Sequence, residues 1–101
     1  MLRKDKVFII IVAYNGRQYW PDLMPLLSQE KYEDFDLQIL VVDNASSDNS
    51  VEYLEQHYPE IKIIKNNSNT GFAKANNIGY DWAKKYKADY IYLLKDRKSV
   101  V

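Results

Sequence analysis

The chain has 101 residues, which is enough for one small domain with a hydrophobic core and too few for two. Its 14 basic and 14 acidic side chains balance, so no charge argument supports binding to nucleic acid or to an anionic membrane. The absence of cysteine excludes disulfides and thiolate metal sites, and no apolar run is long enough to span a membrane.

The first segment combines a basic stretch, residues 1–6, with an apolar stretch, residues 7–13, and so superficially resembles a secretory signal peptide. The apolar stretch has only the minimum length, and YNGR at residues 14–17 stands where a small-residue cleavage site is needed. We therefore interpret residues 7–12 as the first strand. Its continuous β-branched character predicts a central strand that is covered on both faces.

Strands and helices alternate along the rest of the chain. In chain order, the predicted elements are strand 7–12, helix 18–28, strand 37–43, helix 50–57, strand 61–64, helix 71–87 and strand 90–94. Pro25 predicts a kink or an early end in the first helix, and residues 48–50 supply N-cap candidates for the second. In the last helix, Trp82 and Tyr86 follow the helical period and are expected in the core.

This alternation predicts an α/β fold with a parallel sheet, right-handed crossovers and helices on both faces. The architecture is a Rossmann-like, three-layer domain of about four strands and three helices over residues 1–94. Residues 95–101 begin no recognisable element and are expected to form an atypical tail. A sheet that stops at its fourth strand exposes an edge and apolar faces, which favours a homo-oligomer.

Polar segments are expected on one rim of this sheet, at the carboxyl ends of the strands, where open α/β sheets bind ligands. These segments are residues 13–17, 43–48 and 95–97. Asp43 and Asn44 carry groups that suit a nucleobase edge or ribose hydroxyls, and Tyr14 is placed to stack on a base. Asp96 is a candidate oxygen ligand for a divalent cation.

Each of these residues also has a structural interpretation. Asp43 and Asn44 equally suit a turn after a strand, and Tyr14 suits a partly buried position on the rim. Asp48 is typical of a helix cap rather than a ligand, and His57 of a solvated surface rather than a catalytic base. Since a single glycine, Gly16, follows the first strand and no G-x-G-x-x-G or P-loop occurs, NAD binding is disfavoured.

Taken together, several segments resemble family 2 glycosyltransferases, in the family's order and over almost the whole chain. The segments are VFIIIVAYN (7–15), VVDNASSD (41–48), NTGFAKANNIG (69–79) and YIYLL (90–94). The D-N pair and the G-F-A triplet are most similar to those of rhamnosyltransferase-like members. The resemblance implies the GT-A fold and transfer of a UDP- or dTDP-activated sugar to a hydroxyl on a glycan or lipid-linked acceptor, as in cell wall polysaccharide synthesis.

The same resemblance implies a set of ligand-binding residues, a metal ligand and a cellular location. Its nucleotide-sugar-binding residues would be Ala13, Tyr14, Asn15, Asp43, Asn44, Gly71 and Asn76. A divalent cation, Mg²⁺ or Mn²⁺, would bridge the diphosphate, with Asp96 as a ligand. The implied location is cytoplasmic, with membrane association in a longer enzyme.

The sequence departs from the family pattern at its end. Where the family has L-L-N-x-D or a D-x-D variant, this chain has LLKDR at residues 93–97, so that Arg97 takes the place of the main metal-ligating Asp. By the same resemblance we expect the acceptor-binding half and its general base to be absent from this chain, and no catalytic residue is assigned. We therefore expect the chain to be the donor-binding part of such an enzyme and to be inactive by itself. We expect its end to reflect a truncation, a frameshift or the boundary of an expressed fragment. The alternatives are a non-catalytic nucleotide-binding module and a self-associating fragment.

Overall fold

A computed structural model of the chain describes residues 4–28 and 34–95. The strands are β1 (Asp5–Ala13), β2 (Phe35–Asp43), β3 (Lys62–Lys65) and β4 (Tyr90–Lys95). The helices are α1 (Trp20–Ser28), α2 (Ser50–His57) and α3 (Phe72–Lys85), and a short 3₁₀ helix, Arg17–Tyr19, leads into α1. The predicted α/β class is confirmed. Within the two described ranges, no helix is long and apolar enough to cross a membrane.

The sheet has the strand order β3-β2-β1-β4, and all of its neighbouring strands are parallel. The chain moves outward from β1 to β3 and then crosses back to place β4 on the other side of β1. Because the strands are parallel, their carboxyl ends meet at one edge, where Ala13 lies opposite Asp43 and Asp43 opposite Lys65. In sheets of this kind, ligands bind outside the carboxyl ends, near the point where the strand order reverses.

Two hydrophobic clusters cover the sheet, one on each face, because side chains alternate along a strand. One cluster joins β1 and β2 to α3 and comprises Phe8, Ile10, Val12, Leu40, Val42, Ala75 and Ala83. The other joins the strands to α1 and α2 and comprises Ile11, Ala13, Trp20, Met24, Val41, Leu54 and Ile61. The burial on both faces that was predicted for β1 and β2 is therefore confirmed.

The close packing of α3 on the sheet depends on Gly79. A Cβ atom at this position would lie 2.6 Å from Cγ2 of Ile10 and 3.1 Å from Cγ2 of Val42. Ala75 and Ala83 are the other buried residues of this helix face. Small side chains thus let α3 lie directly on β1 and β2, which fixes the position of its first turn relative to the ends of those strands.

The aromatic residues at the end of α3 differ from the prediction. Trp82 is half-buried against Phe8, with ring centroids 5.7 Å apart, but Tyr86 is 47% exposed. The helix ends at Lys85, so Tyr86 lies beyond its last residue and stacks on Trp82 instead, at 4.2 Å. The expectation of a core position was wrong for Tyr86 because the helix ends before it.

Two further expectations concern the ends of elements. Pro25 lies inside α1, which continues to Ser28 rather than ending early. Proline lacks the N–H that would bond the carbonyl of Pro21, so the helix loses a single hydrogen bond near its start. At the end of the chain, β4 includes Lys95, whereas residues 96–101 lie outside the described residues. The separate tail therefore stays a prediction.

Candidate functional site

The predicted site residues, apart from Asp96, lie at the carboxyl edge, meaning here the loops after β1 and β2 together with the first turns of α3 and the segment before it. The N–H of Asn15 donates to Oγ of Ser46 at 2.8 Å, and the N–H of Ser47 donates to Oδ1 of Asn15 at 2.9 Å. The N–H of Arg17 donates to Oδ2 of Asp48 at 3.1 Å. These bonds hold the two loops together, which confirms their predicted proximity.

Asp43 is buried at the end of β2, with 3% of its surface exposed. Ser46 donates twice to its carboxylate, from the N–H to Oδ2 at 2.9 Å and from Oγ to Oδ1 at 2.6 Å. The turn holds Ala45 at a φ of +64°, a left-handed conformation that costs about 1–2 kcal/mol for a residue with a Cβ. Asp43 therefore shapes the loop, and each of its carboxylate oxygens can accept a further hydrogen bond.

Asn44 is 2% exposed and links three separate segments. Its N–H donates to the carbonyl of Ala13 at 2.9 Å. Its Oδ1 accepts from Nδ2 of Asn66 at 2.9 Å and from Oγ1 and the N–H of Thr70 at 3.0 and 3.3 Å. Its Nδ2 donates to the carbonyl of Gly71 at 3.3 Å. Asn44 thereby fixes the segment before α3 against the ends of β1 and β2.

Gly71 makes the turn into α3. Its φ of +85° and ψ of 164° fall in a region that is essentially restricted to glycine. Among the described residues, the N-cap residue of α3 makes no side-chain cap hydrogen bond, and the first turn of this helix contains no acidic residue. The N–H groups of this turn carry the positive end of the helix dipole, an arrangement that favours an anion such as a phosphate. Lys74 adds a positive charge in the same turn.

Three other predicted residues occupy different environments. The side chain of Ala13 is fully buried in the core beneath the loops, so only its backbone is available there. Tyr14 is 43% exposed and forms part of the surface rather than of a buried rim. Asn76, in the second turn of α3, has a buried Oδ1 that accepts no hydrogen bond from the described residues. Buried polar atoms are almost always paired, so this oxygen is suited to a donor from a ligand or a water.

Asp48 has a structural role, in agreement with its interpretation as a cap. Its Oδ1 accepts hydrogen bonds from the N–H and Oγ of Ser50, while Asn49, the N-cap residue, makes no side-chain cap bond. Burial raises the pKa of Asp48, but the hydrogen bonds from Ser50 and from the N–H of Arg17 outweigh it, so the pKa is lowered overall. The guanidinium of Arg17 also lies 3.8 Å above the ring of Tyr53.

Sequence reasoning missed Asn66 and Thr70, which it assigned only to a polar loop. The available signal was strand register: β3 ends at Lys65 opposite Asp43, so that the next residue reaches Asn44. The N–H of Asn66 also donates to the carbonyl of Asp43 at 2.9 Å. Both residues hold Asn44 in position, and neither adds a further candidate ligand-binding group to the site.

The described residues do not by themselves fit a divalent cation. Within residues 4–28 and 34–95, no three His, Cys, Asp or Glu side chains lie together as a metal-binding group. Asp96, the predicted metal ligand, lies outside the described residues. No metal-dependent step is therefore assigned to the residues of this edge.

Comparison with known proteins gives concordant results. The family model "Glycosyl transferase family 2" matches residues 8–96. An uncharacterized glycosyltransferase of Haemophilus influenzae is 36% identical over 76 residues, which represent 72% of this chain and 23% of that protein. S. aureus TarS 1-349 in complex with UDP-GlcNAc matches with a TM-score of 0.75 and 20% identity, over 90% of this chain and 26% of that one.

A third similar protein is the mannosyltransferase PcManGT from Pyrobaculum calidifontis in complex with GDP-Man and Mn²⁺. Its TM-score is 0.66 at 22% identity, and the match covers 80% of this chain and 25% of that one. The structural matches confirm the GT-A type of fold. The chain spans about a quarter of the length of these three proteins.

Proposed function

The chain belongs to glycosyl transferase family 2, and from this premise we propose that it is the part of such an enzyme that binds the activated sugar donor. The donor is UDP- or dTDP-linked, and the longer enzyme transfers its sugar to a hydroxyl on a growing glycan or lipid-linked acceptor. The observation that carries the proposal is the buried Asn44, which joins the ends of β1 and β2 to the start of α3. This connection creates one rim with a base-stacking surface, a carboxylate and a helix N-terminus.

The chemistry of that rim suits the two ends of a nucleoside diphosphate. For the nucleoside, Tyr14 offers an exposed aromatic ring, and Asp43 offers carboxylate oxygens that accept from a base N–H or a ribose hydroxyl. The unpaired Oδ1 of Asn76 is a further acceptor. For the diphosphate, the first turn of α3 supplies N–H groups and the charge of Lys74.

The identity of the donor is proposed from the motif and from the fold. The D-N pair, Asp43 and Asn44, favours a rhamnosyl donor by its resemblance to that branch of the family. TarS and PcManGT are seen with UDP-GlcNAc and GDP-Man, so proteins of this fold accept different bases. We assign UDP or dTDP as the carrier, a cytoplasmic location, and Mg²⁺ or Mn²⁺ with Asp96 as a ligand in the longer enzyme.

Calorimetric titration of the chain with UDP and with dTDP, each with and without Mn²⁺, tests this function. Binding that depends on Mn²⁺ supports a complete donor site and assigns a role to residues beyond Lys95. Binding without metal supports a nucleoside-binding module only. If neither nucleotide binds under either condition, the proposal is refuted and the self-associating fragment remains.

A matched pair of variants identifies the surface that binds. Tyr14→Ala removes the stacking surface and is expected to weaken UDP or dTDP binding about tenfold or more, since a base–aromatic stack contributes about 1–3 kcal/mol. Tyr80→Ala is the control, because Tyr80 is 45% exposed, close to the 43% of Tyr14, but lies on α3 away from both loops. Equal losses in the two variants would contradict a role for Tyr14.

Self-association is the second candidate, and a specific surface favours it. Among the described residues, β4 pairs only with β1, and it exposes Tyr90, Tyr92 and Leu93 by 54%, 61% and 55%. Unpaired strand edges of this kind readily pair with another chain. Sedimentation velocity measures the state directly: Tyr92→Lys should convert an oligomer into monomers, and a wild-type monomer at every concentration would refute this candidate.

A further inference from the structure

A second concave surface lies at the opposite end of the sheet. It is a cleft of about 240 Å³ on the α3 face, called here the aromatic cleft, and its lining residues are Lys6, Phe8, Asp36, Gln38, Lys62, Trp82 and Tyr86. Lys6 precedes Ala13 by seven residues along β1, which is roughly 23 Å of extended strand. The aromatic cleft is therefore separate from the carboxyl edge.

The strand sequences explain why a cleft forms there. On the face of β1 that meets α3, Lys6 precedes the apolar Phe8 and Ile10. On β2, Asp36 and Gln38 likewise precede the apolar residues of the same face. Because α3 ends near Phe8, it leaves the first part of both strands uncovered. The result is a polar floor of strand residues beside the aromatic end of the helix.

The wall of the aromatic cleft is a stack of rings that reaches from the core to the surface. Phe8 is buried at 3% exposure, Trp82 lies against it at 5.7 Å, and Tyr86 lies on Trp82 at 4.2 Å. Phe8 supports Trp82, and Trp82 supports the half-exposed ring of Tyr86. Such a surface offers apolar contact at a low cost in conformational entropy.

The floor offers both hydrogen-bond donors and acceptors. Nε2 of Gln38 donates to Oδ1 of Asp36 at 3.2 Å, which orients an amide beside a carboxylate. Lys6 and Lys62 also line the cleft, so that its lining includes two basic residues and one acidic residue. Charges of both signs line the cleft, so neither a strongly anionic nor a strongly cationic ligand is matched throughout, and a purely apolar ligand would desolvate four polar side chains.

We propose that the aromatic cleft binds one pyranose ring of a glycan. A pyranose has an apolar C–H face that packs on an aromatic ring, and hydroxyls that both donate and accept. Its size suits the cleft, since pockets for larger, drug-sized ligands measure roughly 300–1,000 Å³. The inference does not depend on the proposed function, because it uses no residue of the carboxyl edge; it adds an accessory site that would hold a sugar chain.

The two tryptophans make the test specific within the whole 101-residue chain. The indole N–H resonance of Trp82 reports on the aromatic cleft, whereas Trp20, with 0% exposure in the opposite cluster, serves as an internal control. NMR titrations with methyl β-glucopyranoside, methyl α-mannopyranoside, N-acetylglucosamine and, separately, inorganic phosphate should shift the Trp82 resonance saturably with at least one sugar. The expected Kd is in the millimolar range for one ring, about 1–10 mM.

Variants distinguish binding in the aromatic cleft from non-specific effects. Tyr86→Ala should weaken the sugar about tenfold and leave the nucleotide titration unchanged, whereas Tyr80→Ala, on the same helix with 45% exposure, should leave both unchanged. The proposal is overturned if no sugar shifts the Trp82 resonance up to about 50 mM, well above a millimolar Kd. It is also overturned if only phosphate shifts that resonance, or if both tyrosine variants behave alike.

Discussion

Replacing Asn44 with alanine should release the segment before α3 and destabilise the domain. Four hydrogen bonds end on the Asn44 side chain, from Asn66, from two groups of Thr70, and to Gly71. At about 0.5–1.5 kcal/mol each they would contribute at most about 6 kcal/mol. Two are long, at 3.3 Å, and Gly71 is exposed, so water replaces part of the loss. We expect a decrease of about 2–3 kcal/mol in the free energy of unfolding.

Urea unfolding followed by circular dichroism measures this decrease, with an unchanged m-value as the sign that only stability has changed. In a thermal melt, the same loss corresponds to a Tm lower by about 8–24 °C for a domain of this size. The control is Asn67→Ala, which removes an exposed asparagine from the same loop and should stay within about 0.5 kcal/mol of wild type.

A double-mutant cycle with Thr70→Val locates the effect. The valine keeps the shape of Thr70 and removes only its hydroxyl, so the cycle isolates the bond to Asn44 Oδ1. A coupling free energy of about 0.5 kcal/mol or more is expected for residues in one hydrogen-bond network. A loss below about 0.5 kcal/mol for Asn44→Ala, or additive single effects in the cycle, would refute the role assigned to this side chain.

Three further substitutions test other features of the fold and of the carboxyl edge. Gly79→Ala places a methyl group 2.6 Å from Cγ2 of Ile10. The clash should outweigh the gain in helix propensity, which is up to about 1 kcal/mol, and lower the free energy of unfolding by about 1–2 kcal/mol in urea unfolding. An increase in stability would contradict the packing of α3. Ala45→Gly removes the strain of the φ of +64° and should raise the free energy of unfolding by about 0.5 kcal/mol in the same assay. The rest of the relieved strain is offset by the greater conformational freedom of glycine in the unfolded chain. A clear decrease in stability would contradict the left-handed turn. For Asp48 the prediction is a pH dependence: its lowered pKa means that the carboxylate stabilises the fold above the ordinary aspartate pKa of about 4 and loses this effect as the pH falls through the folded-state value. Asp48→Asn should therefore be less stable than wild type at pH 7, with a difference that shrinks below pH ~4; a constant difference across that range would contradict the assignment.

The parts of the fold that local patterns encode could be predicted from the sequence. The apolar runs of β1 and β2 predicted strands covered on both faces, because each consecutive residue must meet a buried surface. α2 was predicted with the observed bounds, Ser50–His57, since polar capping residues precede it and Pro59 follows. The extension of β1 to Asp5 could not be predicted, because it depends on pairing with β2 and on mutual hydrogen bonds between Lys6 and Asp89 at 2.7 and 2.8 Å.

The same distinction applies to the candidate site, whose residues were predictable from local sequence but whose hydrogen-bond partners were not. The motif placed Asp43 and Asn44 at the end of a strand, and parallel pairing then placed them near the loop after β1. Their hydrogen-bond partners were not predictable, because Asn66 and Thr70 lie 22 and 26 residues away in sequence from Asn44. Contacts between residues so far apart in sequence form only when three separate segments pack together. The sequence therefore indicated which residues matter but not which hydrogen bonds hold them.

Left-handed backbone conformations are concentrated at the carboxyl edge. In the described ranges, the residues with positive φ are Asn15, Ala45, Asn49, Gly71 and Lys87, and all but the last lie in the loops of this edge or the turn before α3. For Ala45 this conformation costs free energy and persists because the surrounding structure over-determines it, whereas asparagine and glycine adopt it readily. Asp43 and Asn44 over-determine this edge through their buried hydrogen bonds. Their structural roles are therefore compatible with the proposed binding role, because the side chains that close the loops also hold the rim in one conformation.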